Sequence, residues 1–112
     1  MIDASRRSMS PTVLIVEPHA DLRAEIVATL RREHYTCDAA ASAHHAKLHL
    51  DRQSYAYVVV DMDAIAGELV SAIDPRSHVI LLTDPDTDTV IGADATLQKP
   101  FGRDELIARF RR

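Results

Sequence analysis

Four short apolar runs, each ending in a polar side chain, constrain this sequence most. Val58-Val59-Val60 stops at Asp61, Val13-Leu14-Ile15-Val16 at Glu17, and Val79-Ile80-Leu81-Leu82 at Thr83. A weaker segment, Ala95-Thr96-Leu97-Gln98, leads into Lys99-Pro100. β-Branched residues lose rotamer freedom in a helix and suit a strand. Runs without polar alternation belong to strands covered on both faces, the condition of a parallel sheet. In open sheets of that kind, ligands sit beyond the carboxyl ends of the strands. The pattern therefore predicts that two carboxylates, a hydroxyl and an ammonium collect at one sheet edge. Such a set can hold a divalent metal ion and a phosphoryl group.

Helical patterns separate the runs. Asp21–Arg32 carries Leu22, Ile26, Val27 and Leu30 at helical spacing, with Asp21 as a candidate cap. Tyr35–Ala39 is a weaker strand. Ser42 can cap a second helix over Ala43–Arg52, whose apolar face is expected to be Ala46, Leu48 and Leu50. Ala64–Ile73 reads as a short helix broken by Gly67 and ended by Pro75. Asp84–Ile91, with its aspartates and proline, reads as a turn or at most two helical turns. Gly102–Arg111 is a last helix with Leu106, Ile107 and Phe110 inward. The strands Thr12–Glu17, Tyr57–Asp61, His78–Thr83 and Asp94–Gln98 complete an alternating α/β domain.

A chain of 112 residues suits one domain with one core. Residues 1–11 are expected to be a disordered polar lead-in, and residues 12–112 the domain. A net charge of -4 argues against non-specific nucleic-acid binding. No apolar stretch approaches the ~20 residues of a membrane span, and residues 1–11 lack the apolar centre of a signal peptide. A cytoplasmic location without membrane attachment is expected. Cys37 is the one cysteine, so no intrachain disulfide is possible, and it is expected to pack as a small core residue.

An aspartate at a strand end can attack a phosphoryl group and form an acyl phosphate. Mg²⁺ takes one or two carboxylates together with phosphate oxygens and water. Glu17 and Asp61 are the candidate carboxylates. Thr83 can hydrogen-bond a phosphoryl oxygen, and Lys99, which with Lys47 makes up the two lysines of the chain, can pair with another. The work of such a site is positioning and electrostatics. Two other constellations carry less. His45 and His49 lie four apart beside His44, but without a third ligand they read as solvated. Asp84-Pro85-Asp86-Thr87-Asp88 imitates the start of an EF-hand loop, yet Thr89 and Ala95 occupy the glycine and glutamate positions. Arg109, Arg111 and Arg112 are expected to form a solvated helix end that suits the dipole.

In their order and spacing, Val13–Glu17, Val58–Asp61, Leu81–Thr83, Gly92-Ala93-Asp94, Lys99-Pro100-Phe101 and Glu105–Arg109 resemble the receiver domain of bacterial two-component response regulators. The resemblance covers roughly residues 12–112. It implies a flavodoxin-like, doubly wound, five-stranded parallel sheet in the order 2-1-3-4-5. It also implies Mg²⁺-assisted phosphorylation of Asp61 by a histidine kinase or phosphotransfer protein. Thr83 would be the switch hydroxyl and Lys99 the partner lysine, followed by a cis peptide bond to Pro100. In full regulators the last helix leads to an effector domain.

The departures are specific. Pro18 stands where a second acid, normally a direct metal ligand, is usual. Thr96 replaces the aromatic switch residue, and Asp84 a small residue. The loop after Asp61 is shorter than usual. The stretch from Thr83 to Lys99 is also short, which shortens or removes the fourth helix. Weakened or lost Mg²⁺ binding is therefore expected, with Asp63 a metal candidate and Asp84 a possible compensating acid.

Two readings of function follow. The first is an atypical receiver in phosphorelay signalling, accepting phosphate on Asp61 and controlling an interaction or a linked effector. The second is a phosphorylation-independent interaction module. Asp61-Met62-Asp63 also resembles the nucleophile motif of haloacid-dehalogenase-like phosphatases. In that family the nucleophile strand comes near the start and acids follow the lysine on another strand, so an enzyme is not expected. Receivers of winged-helix regulators often dimerise through helix four, strand five and helix five. Asp94 and Arg109 fit such a pairing, but the short helix four and Thr96 favour a monomer.

Overall fold

The apolar runs pair side by side and in parallel. The computed structural model describes residues 11–64, 67–85 and 93–110. Its strands are β1 (Thr12–Val16), β2 (Thr36–Ala40), β3 (Tyr57–Asp61), β4 (His78–Thr83) and β5 (Ala95–Gln98). Its α-helices are α1 (Ala20–Arg32), α2 (Ala43–Leu50), α3 (Gly67–Ala72) and α4 (Arg103–Ala108). The sheet order is β2-β1-β3-β4-β5, the flavodoxin-like arrangement expected. Of the lead-in expected over residues 1–11, residues 1–10 fall outside the described residues, as do residues 86–91 of the turn or short helix expected over Asp84–Ile91.

Alternation along each strand divides the core in two. Val13 and Ile15 of β1, Val59 of β3, Ile80 and Leu82 of β4 and Leu97 of β5 pack with Ile26 and Leu30 of α1 and Leu106 of α4. Leu14, Val16, Val58, Val60 and Leu81 face the other way, onto Ala46 of α2 and Leu69 of α3. The unbroken apolar runs thus belong to strands covered on both faces, as the sequence pattern requires.

Several local expectations change. Leu48 is 50% exposed rather than inward. Ala46 is buried and sets the inward direction of α2, and a residue two positions on points almost oppositely on a helix. The cap of α1 is His19, not Asp21, which lies inside the first turn. The start moves back because Arg23 N–H donates to the His19 carbonyl at 2.9 Å, adding one bond to the ladder. Ala64–Ile73 is not one helix: Met62–Ala64 forms a 3₁₀ turn, and α3 starts at Gly67. Ser42 does cap α2, its side chain accepting from His45 N–H at 3.3 Å. Cys37 is buried in β2, and burial pushes its thiol pKa up.

Helix α1 ends in a left-handed residue. His34 has φ 69°, its N–H donates to the Arg31 carbonyl, and Tyr35 N–H reaches back to Leu30 at 3.1 Å. This is the Schellman pattern, which usually employs glycine because a Cβ is strained there. His34→Gly is expected to stabilise the domain by about 0.5–1 kcal/mol, the strain relieved less the freedom added to the unfolded chain. Urea denaturation measures this, and an unchanged or lower midpoint contradicts it.

Candidate functional site

Register brings the strand ends together. Val16 lies opposite Val60, Asp61 opposite Leu82, and Thr83 opposite Gln98. Glu17 follows β1, Asp61 ends β3, Thr83 ends β4, and Lys99 follows β5. All four therefore stand at the carboxyl edge of the sheet. Lys99 N–H donates to the Thr83 carbonyl at 2.8 Å, extending the β4–β5 ladder to the lysine itself. The peptide bond from Lys99 to Pro100 is cis.

The Lys99 ammonium sits between two carboxylates, 2.6 Å from Asp61 Oδ1 and 2.7 Å from Glu17 Oε1. Glu17 is 0% and Asp61 2% exposed. Burial opposes charge on Glu17, but contacts from Lys99 and His19 outweigh it and hold its pKa below the ordinary value. Burial likewise opposes the charge on Lys99, and Asp61 and Glu17 outweigh it, so its pKa is raised. The second oxygen of each acid is also held. Asp61 Oδ2 accepts from Asp63 N–H at 2.9 Å. Glu17 Oε2 accepts from His19 N–H at 2.9 Å and lies 3.1 Å from its Nδ1. Arg23 Nη1 donates to the Glu17 carbonyl at 2.8 Å and to that of Pro18 at 3.3 Å, pinning the loop that carries the acid.

An open cavity of about 460 Å³ lies above these groups, lined by His19, Ala20, Asp21, Leu22, Asp63, Asp84 and Lys99. Asp63 and Asp84 are exposed and border the cavity rather than join the buried ion pairs. Neither His19 nor Asp21 stands out in the sequence as a site residue. Their only signal is position, directly after the strand-end acid.

The donor set suits Mg²⁺ sparsely. Among the described residues no three acidic, histidine or cysteine side chains are gathered to hold an ion unaided. Mg²⁺ needs only one or two protein carboxylates and keeps water for the rest. Glu17 Oε1 is buried and has no aligned hydrogen-bond donor, only the ionic contact with Lys99. With Asp61 it offers two carboxylates, and Pro18 adds no side-chain oxygen.

On the far edge, Thr96 is half-buried opposite Leu81, and its carbonyl accepts from Arg109 Nε at 2.8 Å. Arg109 is thus tied to β5 rather than solvated, while Arg111 and Arg112 lie outside the described residues. Asp94 Oδ2 accepts from Val79 N–H at 2.7 Å. Both groups suited to pairing across a two-fold axis are engaged within the chain. His45 is exposed on α2 and His49 half-buried, with no third ligand gathered among the described residues.

No family model matches the chain. It is 32% identical to the transcriptional regulatory protein BasR of Escherichia coli, over 88% of this chain and 50% of that protein. It is 35% identical to the transcriptional regulatory protein TcrA of Mycobacterium tuberculosis, over 88% of this chain and 44% of that protein. The chain spans about half the length of these curated relatives. In structure it resembles the chemotaxis response regulator CheY4 of Vibrio cholerae, with a TM-score of 0.77 at 21% identity, covering 89% of this chain and 95% of that one. The receiver domain of sensor histidine kinase PA1611 from Pseudomonas aeruginosa, solved with a magnesium ion in its active-site cleft, gives a TM-score of 0.76 at 24% identity, covering 88% and 93%. At these identities the two structures support the fold.

Proposed function

We propose that the chain is a receiver domain of the response-regulator kind, a reading supported by its 32% and 35% identity to two transcriptional regulatory proteins, and that Asp61 accepts a phosphoryl group from a histidine kinase or phosphotransfer protein. The observation that carries this reading is the Lys99 ammonium held against a buried strand-end aspartate at 2.6 Å. That contact holds the carboxylate in place. An ammonium there can neutralise one phosphoryl oxygen as the bond to Asp61 forms. Thr83, at the adjoining strand end, can hydrogen-bond another. Glu17 and Asp61 are the residues that would hold Mg²⁺, which when bound supplies further neutralisation of the transferring group. With Pro18 contributing nothing, the ion binds weakly, and Asp63 and Asp84 border the space where a further oxygen is needed.

Acetyl phosphate is expected to give a slow phosphate adduct by intact-mass analysis, absent in Asp61→Asn. Lack of an adduct from every donor, with the protein folded, selects the phosphorylation-independent reading instead. That second reading draws on Lys99 already being paired with both carboxylates. A phosphatase is not favoured, because the described residues after Lys99 form α4 rather than an acid-bearing strand.

BasR and TcrA are named transcriptional regulators and are about twice as long as this chain. We propose that the domain spans residues 12–112 and that its output is control of a protein interaction or of a linked effector. None of the described helices is long and apolar enough to cross a membrane. With Asp94 and Arg109 engaged internally, the isolated domain is expected to be monomeric at micromolar concentration, with or without beryllofluoride, a phosphoryl mimic. Light scattering showing a beryllofluoride-strengthened dimer that Arg109→Glu breaks overturns this expectation.

A further inference from the structure

A groove of about 220 Å³ runs between α1 and α4, with Leu22, Ile26, Phe101 and Leu106 as its apolar lining. Its α1 wall carries Glu25, Ala28, Thr29 and Arg32. Glu25, Ala28 and Arg32 are exposed, and Thr29 is half-buried. Among the described residues neither Glu25 nor Arg32 makes a side-chain hydrogen bond or ion pair. The other arginines of α1 donate to backbone carbonyls, Arg23 to Glu17 and Arg31 to Cys37.

Spacing decides what the two free charges can meet. Residues three, four and seven apart share one face of a helix, so Glu25, Ala28, Thr29 and Arg32 form a single stripe. Seven residues rise about 10.5 Å, too far for Glu25 and Arg32 to pair with each other. The stripe therefore reads acid, small, small, base. A wholly acidic or wholly basic partner meets a like charge at one end of it. The same stripe run antiparallel does not. About a two-fold axis between Ala28 and Thr29, Glu25 faces the partner's Arg32, and Arg32 faces the partner's Glu25. Ala28 then lies against the partner's Thr29, and the small side chains let the two helices approach.

We propose that this face of α1 docks a second copy of the chain, in an isologous contact held by two reciprocal ion pairs between Glu25 and Arg32. Arg103, on the α4 wall of the groove, lies outside the stripe. The contact is separate from the β5 face, where Asp94 and Arg109 are engaged within the chain. It does not depend on whether Asp61 takes phosphate. Exposed ion pairs are individually weak, so the dissociation constant is expected to be on the order of hundreds of micromolar. The domain is then still monomeric at micromolar concentration, and the contact forms where two copies are already held close.

Sedimentation equilibrium of the whole chain between about 10 µM and about 1 mM tests the proposal. The wild type is expected to dimerise in the upper part of that range. Glu25→Arg and Arg32→Glu each set like charges opposite one another, so each alone should weaken dimerisation by on the order of tenfold. An equimolar mixture of these two variants should associate at least as well as the wild type, because each stripe then carries one sign and the two signs match. The double variant Glu25→Arg/Arg32→Glu reverses the stripe and should recover self-association. Both sites are exposed, so circular dichroism should be unchanged. Where a single variant does not fold, Ala28→Arg, which puts bulk and charge at the axis, must abolish dimerisation in its place. A wild type that stays monomeric to about 1 mM leaves the groove to a different partner and overturns the proposal. So does a dimer indifferent to the single substitutions, or a mixture of the two variants that fails to associate.

Discussion

Replacing Lys99 with methionine is expected to cost the fold about 3–5 kcal/mol at neutral pH, the usual range for stranding buried charges. The side chain contacts two carboxylates, at 2.6 and 2.7 Å, whose residues are both buried. Without the ammonium these acids share one site as like charges, and one of them must take up a proton. The pH dependence then changes sign. In the wild type, Glu17 has a pKa below its usual 4.5, so its contribution is present above that value and lost as pH falls through the lowered one. Lys99 has a pKa above its usual 10.5, so its contribution is present below that value and lost as pH rises through the raised one. In Lys99→Met the acid pair titrates above its unfolded values, so stability is regained on acidification toward about pH 5. Urea denaturation at pH 7 and pH 5 separates the cases. A variant that is as stable as wild type at pH 7, or that loses stability at pH 5, contradicts the assignment of the ion pairs.

Replacing Pro18 with aspartate is expected to tighten Mg²⁺ binding by roughly 10–100-fold, or about 1.4–2.7 kcal/mol. Pro18 is exposed beside Glu17, so a carboxylate meets no packing obstacle. It would give the ion a third acid directly after Glu17 in the chain. Without metal the same substitution adds a like charge next to Glu17 and Asp61 and frees the unfolded chain, so the variant should be less stable than wild type in a chelator. With millimolar Mg²⁺ the order of the two proteins should reverse. Calorimetric titration and thermal melts with and without Mg²⁺ read both effects. An unchanged affinity shows that the missing acid is not what limits the site.

The strands and their terminal acids are legible because burial on both faces leaves runs such as Val58–Val60 with no polar residue until the edge. Lys99 is legible because lysine is scarce in the chain. What escapes the sequence is direction. Leu48 looks like core until the position of Ala46 fixes the helix rotation. Asp21 looks like a cap until the chain puts His19 there. Arg109 looks like a solvated helix end until β5 places the Thr96 carbonyl within reach. His34 gives no local sign of its left-handed backbone, since glycine is the usual marker. Each of these depends on a neighbour distant in sequence or on a rotation that periodicity leaves free.

The bond from Lys99 N–H to the Thr83 carbonyl has a consequence for how such a chain can change length during evolution. The lysine's place is fixed by counting along β5 from its pairing with β4, not by the length of chain that joins the two strands. Insertions and deletions between Thr83 and Asp94 can therefore accumulate while the ammonium stays between its two acids. The same freedom does not extend into the strands. One residue added within β3 would turn Asp61 to the opposite face of the sheet and bring Val60 to the edge in its place. Selection on this fold should thus tolerate gaps in the connectors and reject them in the strands, even where the strand residues themselves are interchangeable.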